Sequence, residues 1–185
     1  MENEKKIEGI FSVINKYAMY YGLLLGAFWV FRYLFFIVAG AGVSDRFLFL
    51  FYLLNIGTLL LMYVFFNKFK FLDESKPKGA IYCIFFMVLM SFYASFLEGA
   101  IMYAHFKFID PAYFSSLVST SLKAIEATPR MGTDEAQYAM VKEIVGSIYS
   151  SKFIYIAIEF VKNIILGLFL GVILNFVVAN VKKSS

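Results

Sequence analysis

Five polar side chains that fall at one level stand inside the long apolar runs, and any chemistry in this chain starts with them: Arg32, Asn55, Glu98, Glu159 and Lys162. Two are basic, two acidic and one is a neutral amide, so the set carries no net charge. Insertion scales put an ion near the centre of a spanning helix at about 2.5–3.5 kcal/mol, so four unpaired ions would cost on the order of 10 kcal/mol. The side chains are therefore expected to point inward and pair, Arg32 with one glutamate and Lys162 with the other. Such a layer fits two roles. It fixes helix register as a neutral network, or it lines a cavity open to the outer side that binds an ion, a proton or a small polar solute.

The remaining reactive inventory is thin. His105 is the one histidine; it stands apart from Cys and from acids at ligand spacing, and reads as an interfacial side chain rather than a metal ligand. The lone Cys83 lies in an apolar run and reads as a small buried residue. Gly40-Ala41-Gly42 is too short for a phosphate loop and lacks the Lys-Ser/Thr that would follow one. Glu98 and Glu159 are paired carboxylates in principle, but no substrate cleft is legible and no nucleophile–base–acid set stands out. No enzymatic activity, metal or cofactor is expected.

The elements that must position these residues follow from composition. The chain has 185 residues, 61% hydrophobic, 20% aromatic and 16% charged, whereas soluble domains run at roughly 45–50% apolar and about 25% charged. That excludes a soluble enzyme, a disordered chain and a disulfide scaffold. A spanning helix needs about 20 mostly apolar residues, and four runs qualify: Tyr17 to Ala39, Phe47 to Phe66, Gly79 to Ala104, and Phe153 to Val181. No alternation typical of barrel strands is present, so helices are the spanning option. The expected fold is all-α, a single membrane domain over residues 1–185 built as a bundle of four transmembrane helices. At about 1.5 Å per residue the five polar residues fall in one layer, roughly 10–15 Å below the outer boundary. The first run is read as a span rather than a cleaved signal, because it is too long and contains Arg32. No lipidation motif is expected at either end.

The net charge is +4, from 17 Lys and Arg against 13 Asp and Glu. The basic residues sit beside apolar runs, which suits lipid headgroups and not nucleic acid. One side of the membrane would hold Lys5, Lys6, Lys16, Lys68, Lys70, Lys76, Lys78, Lys182 and Lys183; the other would hold Arg46, Lys107, Lys123, Arg130, Lys142 and Lys152. The positive-inside rule then places both termini in the cytoplasm.

Residues 105–152 read as an extracytoplasmic insertion of two amphipathic helices between the third and fourth spans. The first opens at Asp110-Pro111, with Asp as N-cap and Pro at the first helical position. Phe114, Leu117, Val118, Leu122 and Ile125 form its stripe, opposite Ser115, Ser116, Ser119, Thr120 and Lys123; Pro129 and Gly132 end it. The second opens at Thr133, with Asp134 and Glu135 favoured by the helix dipole, and its stripe is Met140, Val141, Ile144, Val145 and Ile148. No proline separates it from the fourth span, so one continuous helix is allowed. The stripes either pack on each other as a hairpin, lie on the outer headgroups, or hold a protein partner or a second copy.

Gly22 and Gly26 in the first span, and Gly167 and Gly171 in the fourth, are small-xxx-small motifs that let backbones approach closely. The simplest expectation is that spans one and four touch through them; the alternative is a homodimer. Along the fourth span, Glu159, Asn163, Gly167, Gly171 and Asn175 form a polar and small ridge at four-residue steps, and Ser91, Ser95 and Glu98 form a similar line on the third.

Phe108-Ile109-Asp110-Pro111, an amphipathic helix, a turn, a second acidic-start helix and a Gly-rich last span ending in Lys182-Lys183 together resemble a bacterial inner-membrane family, domain of unknown function 4199. The resemblance covers nearly the whole chain. It implies four transmembrane helices with a large outer insertion between the third and fourth, and it implies no activity and no functional residues. The expected function is that of a non-enzymatic structural or assembly protein in the lipid bilayer; the alternative is a small transporter or channel subunit using the charged layer.

Overall fold

The computed structural model describes residues 2–40, 44–73, 77–127, 135–148 and 151–181. Its elements are six α-helices among those residues: α1 (Glu2–Gly40), α2 (Asp45–Lys70), α3 (Ala80–Ala104), α4 (Pro111–Ala127), α5 (Glu135–Ile148) and α6 (Lys152–Val181), with a π-helical turn at His105–Ile109. Four of these helices are long and apolar enough to cross a membrane, over Phe11–Gly40, Arg46–Lys70, Ala80–Ile109 and Lys152–Val178. The first helix begins far upstream of Tyr17, because the charged residues before it are good helix formers and no proline interrupts them.

Several helix boundaries have a local cause. Ser44 caps α2, its side chain accepting from Arg46 N at 3.3 Å. A hydrogen bond from Lys78 N to Lys70 O, 2.8 Å, closes the turn between α2 and α3. Beyond Ala104 the helix widens: Asp110 N donates to His105 O at 2.9 Å, five residues back. The next π step would use the N–H of residue 111, which is proline and has none. The Lys152 ammonium fills that gap, donating to Phe106 O at 2.6 Å. Asp110 then starts α4, its Oδ1 accepting from Ala112 N at 3.1 Å and Tyr113 N at 3.0 Å. This is the cap that Asp110-Pro111 predicts. Ser151 starts α6 in the same way, accepting from Phe153 N at 3.2 Å. Ser151 is not helical and caps α6, so α6 starts afresh there rather than running on from α5, as the missing proline would have allowed.

The chain divides into two compact units, residues 1–98 with 160–185, and residues 99–159. The second contains the expected insertion at 105–152 together with the adjoining ends of α3 and α6.

In the first unit the glycine motifs do close-packing work, but with a different partner from the one expected. A Cβ on Gly22 would lie 2.7 Å from Met90 O, and one on Gly26 would lie 3.0 Å from the Ala94 Cα. A Cβ on Gly167 would lie 2.8 Å from Met87 O, and one on Gly171 would lie 3.2 Å from the Ile84 Cα. Both motifs therefore seat on α3, on adjoining faces, and α1 does not meet α6 through them. The reason is that α3 is itself thin at those levels, where Ala94 and Ser91 leave room for a neighbouring backbone. Around this contact Leu25, Trp29, Met62, Phe66, Phe86, Met87 and Met90 are fully buried. The Phe69 and Phe86 rings stack at 4.2 Å, joining α2 to α3.

The second unit is built on aromatic rings. Phe106 and Phe114 are buried, with ring centroids 5.4 Å apart, and Tyr155 lies 6.0 Å from Phe114. On α4 the stripe holds as expected where its side chains are described: Phe114 is buried, Leu117 and Val118 half-buried, and Ser115, Ser116, Ser119, Thr120 and Lys123 exposed. The α4 and α5 helices touch. Yet Met140, Val141 and Ile144 on α5 stay exposed, so the hairpin covers only part of that stripe. Thr133 and Asp134 lie outside the described residues, as do the side chains of Leu122, Ile125 and Ile148.

Candidate functional site

Arg32 reaches from α1 into the interior beside Trp29, one turn earlier on the helix, its guanidinium 5.9 Å from the indole centroid and 5.4 Å from that of Phe51. Its two terminal nitrogens divide their work. Nη2 donates to Glu98 Oε1 at 2.6 Å, an ion pair whose side chains are only 11% and 10% exposed. Nη1 donates to Asn55 Oδ1 at 2.6 Å and to Thr58 Oγ1 at 3.4 Å. Asn55 is turned to accept because its Nδ2 is committed to its own helix, donating to Phe51 O and Tyr52 O at 3.1 and 3.4 Å. Thr58 likewise donates back to Leu54 O at 3.5 Å, which leaves its lone pairs facing the arginine.

The other oxygen of Glu98 is taken from α6: Asn163 Nδ2 donates to Oε2 at 2.6 Å. One cluster thus draws a side chain from each of α1, α3 and α6 and two from α2. A planar guanidinium fork suits this, since its donors diverge at fixed angles and bridge two helices at once. The cluster is neutral, charge-assisted and mostly shielded from solvent.

Arg32, Asn55 and Glu98 are therefore brought together as expected. Lys162 does not join them: it is exposed, where an inward position was expected, and Glu159 is half-buried in the second unit. The inward line of α6 is Asn163, Gly167, Gly171 and Asn175, all buried. Lys162 lies one residue off that line, about 100° around the helix. An amide, not an ammonium, occupies the place beside the carboxylate. Thr58 and Asn163 are the site residues that charge alone does not reveal; Thr58 follows Asn55 by three, and Asn163 belongs to the four-step ridge.

Below the cluster, α3 continues the polar line. Ser95 Oγ donates to Ser91 O at 2.7 Å, and Ser91 itself is fully buried against Gly167. Among the described residues three buried polar atoms have no hydrogen-bond partner: Ser91 Oγ, Arg32 Nε and Trp29 Nε1.

A second polar contact joins the far ends of α2 and α6. Lys70 Nζ donates to Asn175 Oδ1 at 3.1 Å, and both residues are buried. Asn175 Nδ2 donates in turn to Gly171 O at 2.8 Å and Ala80 O at 3.3 Å. The sequence marks Lys70 only as one more cation of a basic turn.

Compared with known proteins, the chain matches no family model, no curated sequence and no solved structure. The geometry stands alone as the guide to function.

Cys83 and His105 are both buried. The Cys83 Sγ lies 3.7 Å from Lys78 O. His105 lies in the π-helical turn with its ring 4.9 Å from that of Tyr113. Among the described residues no group of three His, Cys, Asp or Glu stands close enough to hold a metal ion.

Proposed function

We propose that this chain is a multi-pass protein of the bacterial inner membrane, with both termini in the cytoplasm. It performs no chemical reaction and acts as a structural or assembly component, a member of the domain of unknown function 4199 family that it resembles. The observation that carries this reading is the closed state of the Arg32–Glu98 cluster. Both carboxylate oxygens and both terminal guanidinium nitrogens are already engaged by protein groups, so the cluster acts as a clamp that holds α1, α2, α3 and α6 in register.

Large apolar side chains exposed along the four long helices, among them Phe49, Leu60, Phe169 and Phe176, support a hydrocarbon surrounding. The Lys and Arg asymmetry supports the orientation. The exposed Met140, Val141 and Ile144 on α5 support an assembly role, offering an apolar face to a protein partner or a second copy.

A second reading, a small transporter or channel subunit for an ion, proton or small polar solute, draws on the three unpartnered buried atoms at Trp29, Arg32 and Ser91. The test is a paired charge reversal, Arg32→Glu with Glu98→Arg, beside the single neutralisations. A clamp requires the singles to lose folded protein and the reversal to recover part of it. Singles that fold normally and abolish a proton or ion flux in proteoliposomes would decide for the second reading. Deletion of residues 111–148 without any change in oligomeric state or co-purifying protein would remove the assembly role.

A further inference from the structure

Among the described residues of the first unit the buried charges do not balance. Arg32 and Glu98 cancel each other. Lys70, at the other end of α2, is 9% exposed, and among the described residues its ammonium pairs with no carboxylate. An ammonium has three donors. One goes to Asn175 Oδ1, and the Phe66 ring centroid lies 5.4 Å from Nζ. Neither group carries charge.

Asn175 is better understood as a positioning group. Its Nδ2 is held by the carbonyls of Gly171 and Ala80, which leaves Oδ1 aimed at Lys70 and fixes where the ammonium sits. A buried cation without a counter-charge is strongly destabilising. Two more lysines stand at the same turn: Lys78 is half-buried and its backbone N donates to Lys70 O, and Lys68 is exposed two residues before, while the one acid described there, Asp73, is exposed. Lys70 also ends one of the four long apolar helices, the level at which a headgroup sits if that helix crosses a bilayer.

We propose that Lys70, held by Asn175 and flanked by Lys78, is the centre of a binding site for a phosphate-bearing anion: the phosphodiester of an acidic lipid headgroup, or free phosphate. A lysine serves phosphate as a compact point charge, and basic pockets between spanning helices suit anionic headgroups. The lipid source rests on the membrane reading above; the anion site does not.

The experiment reconstitutes the full chain in mixed phosphatidylcholine–phosphatidylglycerol nanodiscs, exchanges it into detergent and weighs the retained lipid by native mass spectrometry. Wild type should keep phosphatidylglycerol, Lys70→Met should keep about tenfold less, the loss of one charged hydrogen bond, and Lys70→Arg should keep most of it. Retention of phosphatidylcholine should not change. A parallel arm measures binding of inorganic phosphate to lipid-stripped protein; binding there without lipid retention assigns the site to free phosphate. Wild type that holds neither overturns the proposal, and so does a Lys70→Met protein that equals wild type in whichever of the two ligands wild type holds. Because wild type alone can give the first of these results, a variant that fails to fold does not shield the idea. A chain that never enters nanodiscs would remove the membrane reading and leave the phosphate arm to judge the site.

Discussion

Glu98 presents Oε2 to the Asn163 amide at 2.6 Å. The opposite oxygen of the same carboxylate meets Arg32 at the same distance. The two donors come from helices far apart in the chain, so the carboxylate acts as a hinge pin between them.

Removing that charge isolates the arginine. Glu98→Gln should destabilise the protein by about 3–5 kcal/mol, because it leaves a buried cation uncompensated. Replacing both partners, Arg32→Met with Glu98→Met, should recover most of the loss. Thermal unfolding in one detergent compares the three proteins; a Glu98→Gln melt that matches wild type would refute the clamp.

Two glycine substitutions should differ in effect. At Gly167 a Cβ would press on the Met87 carbonyl, so Gly167→Ala should separate α3 from α6 and cost about 1–3 kcal/mol. At Gly146 a Cβ meets nothing within 4 Å, so Gly146→Ala should be neutral or gain up to about 1 kcal/mol of helix propensity. Unfolding midpoints measure both.

The α4 cap should be separable from the rest of the fold. Asp110→Ala removes the acceptor for two backbone N–H groups and should weaken α4 by about 0.5–2 kcal/mol. Hydrogen exchange should quicken in the first turn of α4 and stay unchanged in α2.

Lys152→Leu leaves Phe106 O without its donor. The cost should be about 1–3 kcal/mol, read as faster exchange of amides around the π-helical turn. Exchange there equal to wild type would mean that the carbonyl finds another donor.

What the sequence disclosed and what it hid divide along physical lines. Apolar length revealed four long helices, since a run of that composition has few other outcomes. Asp110-Pro111 revealed a helix start because a cap is a local interaction. Gly22, Gly26, Gly167 and Gly171 revealed which helix faces pack tightly but not against what, because spacing describes one surface and a contact needs two. Lys162 drew attention as a charge, while the neighbouring Asn163 made the contact; a phase of one residue decides that, and it is fixed only when α6 docks. Lys70 was hidden for a further reason. Its sequence neighbours belong to a basic turn, and its burial depends on Asn175, 105 residues away.

Because α3 lends adjoining faces to both glycine helices, it has little freedom to drift. A bulkier residue arising at Ser91 would collide with Gly167, and one at Ala94 with Gly22 and Gly26. Glycine has nothing smaller to retreat to, so neither partner can accommodate the change by a substitution of its own. Compensation would have to come from moving a whole helix, and the Arg32–Glu98–Asn163 tether resists that movement on both sides.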